Sequence, residues 1–97
     1  PNLVTSPKSK VKNIQVIIDK GENNFSVCLL EWEGKRRVGV RWNGDSDNSI
    51  GNPQSRGIPT WFVLPEPIAK SYLEDLLKTE KGLSNLKIDK IKEFLCK

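Results

Sequence analysis

Between Val11 and Trp42 the sequence carries three consecutive runs of β-type apolar patterning, joined by turn segments too short to hold a crossover helix. Parallel neighbours need a crossover of a dozen residues or more, so these runs can pair only as antiparallel hairpins. In the first run Ile14, Val16 and Ile18 alternate with Asn13, Gln15 and Ile17, the period of two that marks a half-buried strand. Asp19-Lys20-Gly21-Glu22-Asn23-Asn24 supplies the turn chemistry after it. The second run, Phe25 to Trp32, places Phe25, Val27 and Leu29 on one face and Cys28, Leu30 and Trp32 on the other. Apolar residues on both faces predict a central strand. After Glu33-Gly34-Lys35, the third run sets Val38, Val40 and Trp42 against Arg37, Gly39 and Arg41. Gly39 removes a side chain from this strand, which reads as a twist point and permits a bulge or a close approach.

Asn43 to Thr60 follows as a long loop rich in Gly, Asn, Asp and Pro. Long loops inside a small domain are uncommon and tend to carry function. Trp61-Phe62-Val63-Leu64 then predicts a short fourth strand that ends at Pro65. Pro67 suits an early helix position, and Ile68, Ala69, Tyr72, Leu73, Leu76 and Leu77 form an apolar stripe that stops near Gly82. A second helical stripe uses Ile88, Ile91, Phe94 and Leu95. The expected fold is therefore α+β, an antiparallel sheet of about four strands followed by two C-terminal helices packed on one face. Residues 1–12, with two prolines and three lysines, read as a flexible basic arm, and residues 13–97 as a single α+β domain. Trp42, in phase with Val38 and Val40, is expected to be buried, and Trp61 beside the loop to be partly exposed.

Composition narrows the chemistry. The chain has no histidine, which removes Ser-His-Asp and Cys-His catalysis and His-ligated zinc. Cys28 and Cys96 lie far apart with no CxxC spacing, and Cys28 sits in the apolar run FSVCLL, so both read as reduced structural thiols. No apolar run reaches the roughly 18 to 20 residues of a bilayer span, and the first residues hold no hydrophobic stretch of the signal-peptide kind. The expected location is cytoplasmic, with no membrane partner and no cofactor.

Two acidic patterns invite a metal reading and fail it. Asp45-Ser46-Asp47-Asn48-Ser49-Ile50-Gly51 starts like a calcium loop, but its glycine falls one place late and Arg56 stands where a bidentate Glu is required. Asp19 with Glu33-Gly34-Lys35 can be arranged as a nuclease-type acid and E-x-K pair, which recurs by chance in charged chains. No metal site and no catalytic residue is assigned, and the chain is read as not an enzyme.

A formal charge of +4 favours anionic partners. Lys35, Arg37 and Arg41 fall on one strand face, and with Arg56 they are the candidate nucleic-acid contacts, able to neutralise phosphates while a tryptophan stacks on an unpaired base. The string Arg41-Trp42-Asn43-Gly44, followed by Pro53-Gln54-Ser55-Arg56-Gly57-Ile58-Pro59-Thr60-Trp61-Phe62-Val63-Leu64-Pro65, resembles a family of small uncharacterised bacterial proteins with an RWNG...GxPxWFxLP pattern. That family has no established activity to carry over. The resemblance implies a functional loop surface at Arg41, Asn43, Gln54, Ser55 and Arg56, with Trp61 beside them. Two readings stay open: a small binding module that contacts DNA or RNA through the basic face and the 43–60 loop, or a module for a protein partner or homodimer that uses the loop and the C-terminal helices.

Overall fold

The computed structural model describes residues 4, 10–45, 51–55 and 58–96, with the backbone alone at 55 and 58. The chain divides into two compact units, Pro1–Leu64 and Pro65–Lys97. The first holds β1 (Val11–Asp19), β2 (Phe25–Trp32), β3 (Lys35–Trp42), β4 (Gln54–Ser55), β5 (Ile58–Pro59) and β6 (Phe62–Val63); the second holds α1 (Glu66–Thr79) and α2 (Asn85–Leu95). A four-stranded antiparallel sheet in the order β1-β2-β3-β6, followed by two C-terminal helices, is the α+β arrangement that the patterning predicts.

The β2–β3 hairpin is unbroken from Phe25 opposite Trp42 to Trp32 opposite Lys35. Its turn residues Glu33 and Gly34 have φ of 50° and 82°, the paired positive values that match a two-residue turn to the twist of the strands. β2 is central, and neighbours on its opposite faces, Val27 and Cys28, are both buried. One face gathers Val4, Val11, Cys28, Leu30 and Trp61 into a core cluster, with Ile14, Val16 and Trp32 packed against it. Val4 thus brings a buried residue from the segment read as an arm with little to bury.

The alternation in β1 is not strict. Register shifts fall between Lys12 and Gln15 and between Val16 and Ile18, and Asn13 has a φ of 53°. Val16 pairs with Cys28 and Ile18 with Val27. Cys28 and Val27 are consecutive, so Val16 and Ile18 lie on opposite faces, and a single extra residue has switched the side of the strand that Ile18 presents. Ile17, the extra residue, and Ile18 are both buried. On β1, at the edge of the sheet, such bulges also blunt pairing with other chains.

Gly39 is not a bulge, because it pairs directly with Cys28. A Cβ at this position would stand 3.0 Å from Cys28 Sγ, 3.0 Å from Leu30 Cδ2 and 3.1 Å from Trp61 Cβ. The missing side chain is the space into which Trp61 packs.

In the helical unit, Pro67 lies in the first turn of α1, where its absent N–H removes no intrahelical bond. Ala69, Leu73 and Leu76 are its buried residues, while Ile68, which the stripe includes, is 56% exposed. Ser84 caps α2 by accepting a hydrogen bond from the Lys87 backbone N–H at 3.3 Å, and Ile91 is fully buried. Burial raises the Tyr72 phenol above its ordinary range, helped by the nearby charges of Glu80 and Asp75. No helix among the described residues is long and apolar enough to cross a membrane.

Candidate functional site

The path after β3 is fixed by polar contacts. Ser26, fully buried, donates from Oγ to Asn43 Oδ1 at 2.6 Å. Asn43 Nδ2 donates to the Gly21 carbonyl at 2.8 Å and to Asp19 Oδ1 at 3.3 Å. Asp19 Oδ1 also accepts from the Gly21 N–H at 2.9 Å. One carboxamide therefore ties the start of the loop to the β1–β2 turn, using both its donor and acceptor capacity. Next to it, Arg41 is only 4% exposed, and its Nη1 donates to the Thr60 carbonyl at 2.6 Å. Burial pulls its pKa below the usual arginine value, yet a guanidinium stays charged inside proteins, so such donation is what makes its burial tolerable.

The loop is drawn back along β3. Trp42 and Asn52 exchange backbone hydrogen bonds at 2.7 and 3.0 Å, and the Thr60 N–H reaches the Pro53 carbonyl at 3.1 Å. Gly51 makes this approach possible. Its φ is +82°, and a Cβ there would fall 2.0 Å from the Trp42 carbonyl oxygen.

This path leaves an apolar hollow of about 470 Å³ lined by Phe25, Val40, Arg41, Trp42, Asn52, Pro53 and Phe62. Register explains its members: Phe25 is opposite Trp42, and Val40 is opposite Phe62, so all four share one sheet face. Phe25 and Trp42 meet edge to face, with ring centroids 6.4 Å apart and planes at 86°. Trp42 is 59% exposed and Phe62 is 56% exposed. The walls of the hollow are thus large aromatic groups still in contact with water.

Both tryptophan expectations are overturned. Along one face of β3, burial fades from Val38, fully buried, through Val40, half-buried, to Trp42 at the strand end. Being in phase with a buried residue does not bury the last one. Trp61 and Phe62 are consecutive in extended chain and point to opposite faces. Trp61 takes the buried side beside Gly39, and its Nε1–H donates to the Val4 carbonyl at 2.7 Å, while Phe62 takes the open side.

The sequence-derived site residues separate accordingly. Lys35, Arg37 and Arg41 share a face, but only Lys35 is exposed; Arg37 is half-buried and Arg41 buried. Asn43 and Trp61 hold the fold together. Gln54 is exposed, with Nε2 donating to the Gly51 carbonyl at 2.7 Å. Ser55 pairs through its backbone with Ile58. Arg56 and most of the calcium-like segment lie outside the described residues. Asp19 and Glu33 stand near opposite ends of β2, about 23 Å apart at the usual rise of a strand, so they do not form one acidic centre. Phe25, Val40, Pro53 and Phe62 were missed; the signal for Phe62 was the adjacent pair Trp61-Phe62, of which a strand can bury only one on a given face.

No family model, curated protein or solved structure matches this chain, and the RWNG...GxPxWFxLP resemblance rests on its motif residues alone.

Proposed function

We propose that the chain is a non-enzymatic binding module that takes an apolar, aromatic-bearing segment of a protein partner into the hollow walled by Trp42, Phe62, Phe25 and Pro53. The carrying observation is the water exposure of Trp42 and Phe62 around one apolar hollow. Contiguous exposed apolar surface is characteristic of interaction sites, and tryptophan and other aromatic groups supply most of the energy where proteins meet. Among the lining residues the one cation, Arg41, already donates to Thr60, which favours an uncharged ligand over a phosphate.

Selection of peptides from a displayed random library, followed by titration against Trp42→Ser and Phe62→Ser, tests this reading. Aromatic or apolar peptides whose affinity falls at least about tenfold in both variants are expected, a loss of ~1.4 kcal/mol or more. Peptides that bind both variants as well as the parent chain would overturn it.

The second reading, single-stranded nucleic acid, draws on Lys35, Arg36 and Arg37 at the β2–β3 hairpin end and on the net charge. Arg36 and Trp42 share a face of β3, but Val38 between them is fully buried, so a strand could not lie flat from the basic end to the aromatic wall. Oligonucleotide affinity that collapses between about 50 mM and 200 mM salt would favour this reading over the first.

A further inference from the structure

Asn43-Gly44 is the one Asn-Gly dipeptide in the sequence. Glycine after asparagine leaves the following backbone nitrogen unhindered, and this pair is the one at which an asparagine side-chain amide group is most readily lost. The reaction is intramolecular. The Gly44 backbone nitrogen, having given up its proton, attacks Cγ of Asn43, the new bond closes a succinimide, and the Cγ–Nδ2 bond breaks to release ammonia, its added proton coming from water. Water then opens the ring to aspartate or isoaspartate; no oxidant or reductant takes part.

In the fold the carboxamide is not free to meet that nitrogen. Ser26 Oγ holds its oxygen at 2.6 Å, and the Gly21 carbonyl and Asp19 carboxylate hold its nitrogen at 2.8 and 3.3 Å. The backbone on either side is also tied: the Asn43 N–H donates to the Asn24 carbonyl at 2.8 Å, and the Gly44 carbonyl accepts from the Asn23 N–H at 2.8 Å. We propose that Asn43 is a spontaneous deamidation site held shut by the Ser26–Asn43–Asp19 clamp, and that conversion opens the clamp irreversibly. Aspartate at 43 would turn the donor that faces the Gly21 carbonyl and the Asp19 carboxylate into an anionic acceptor. Isoaspartate would add an atom to the backbone between Trp42 and Gly44. Either product loosens the segment that carries Trp42, so the reaction acts as a one-way timer on the hollow's wall, running whenever the clamp opens.

The test compares the parent chain in buffer and in urea at the same pH and temperature, with conversion at 43 read by peptide mass spectrometry and an isoaspartate assay. Conversion roughly tenfold or more slower in buffer is expected, the factor imposed by an opening free energy of about 1.4 kcal/mol. Ser26→Ala removes one of the holding bonds and leaves the dipeptide intact. It should raise the rate in buffer several-fold without changing the rate in urea. Equal rates for the parent chain in buffer and urea, or no effect of Ser26→Ala in buffer, would overturn the proposal. So would conversion at Asn43 in urea no faster than at Asn23 or Asn24. Asn43→Asp carries one product directly and should lower the urea midpoint, and an unchanged midpoint would overturn the claim that conversion opens the clamp.

Discussion

The indole N–H of Trp61 donates to the carbonyl oxygen of Val4 at 2.7 Å across 57 positions of sequence. Both residues belong to the cluster formed with Val11, Cys28 and Leu30, so this bond joins Val4 to the residue just before edge strand β6. Trp61→Phe keeps most of the apolar area but leaves the Val4 carbonyl without its donor. A loss of about 1–3 kcal/mol in urea unfolding is expected, the range for a buried polar group that loses its partner.

Gly39→Ala asks three neighbours to move. With Cys28 Sγ and Leu30 Cδ2 at 3.0 Å and Trp61 Cβ at 3.1 Å from the added carbon, overpacking should cost about 1–3 kcal/mol. Reduced freedom of the unfolded chain returns only about 0.4–1 kcal/mol of that. Cys28→Ala in the same chain removes one of the three contacts. The double variant should then be more stable than the sum of the single effects implies, as measured by a double-mutant cycle.

The two thiols should differ in reactivity. Cys28 is buried and its thiol is pushed up to about 12 by loss of hydration, only partly countered by a hydrogen bond with the Gly39 backbone. Cys96 is exposed. A thiol reagent is expected to modify Cys96 alone in buffer and both residues in urea. The raised Cys28 value also fixes a sign. An unfolded thiol ionises near about 8.5, so the unfolded chain binds fewer protons across the interval up to about 12. The contribution of Cys28 to stability is full below that interval and falls as pH rises through it, a decline that Cys28→Ala should lessen in alkaline unfolding curves.

Trp42→Ser and Phe62→Ser should leave the fold in place. Their side chains are 59% and 56% exposed, and the edge-to-face contact of Trp42 with Phe25 is worth about 0.5–1.5 kcal/mol. Stability losses of no more than about 1.5 kcal/mol by urea unfolding are expected. Larger losses would show that these rings belong to the core.

The hairpin meander was legible because each strand run and turn carries its own local signature: Phe25 to Trp32 spans a strand end to end, and the connection read as Glu33-Gly34-Lys35 is the tight turn Glu33-Gly34, with Lys35 already in β3 opposite Trp32. Patterning was less informative inside β1, where Val16 and Ile18 read as one face and lie on two. A bulge adds one residue without any distinctive residue type, so it shows only when the partner strand is known. The candidate site was harder still. Arg41, Asn43 and Trp61 were singled out for their chemistry, and the structure uses that chemistry to hold the loop and the sheet together.

The sequence by itself determined the order and kind of the main elements, the antiparallel pairing of the first three strands and the absence of histidine chemistry. These follow from spacing and residue type, which act over a few neighbours. Tertiary structure alone decided which aromatic residues meet water. Trp61 is buried because Gly39, 22 positions earlier, offers no side chain and Val4 supplies an acceptor, and Trp42 is exposed because burial fades along its face of β3. Exposure depends on what distant residues place beside a side chain, and that is a property of the packed chain rather than of any local window.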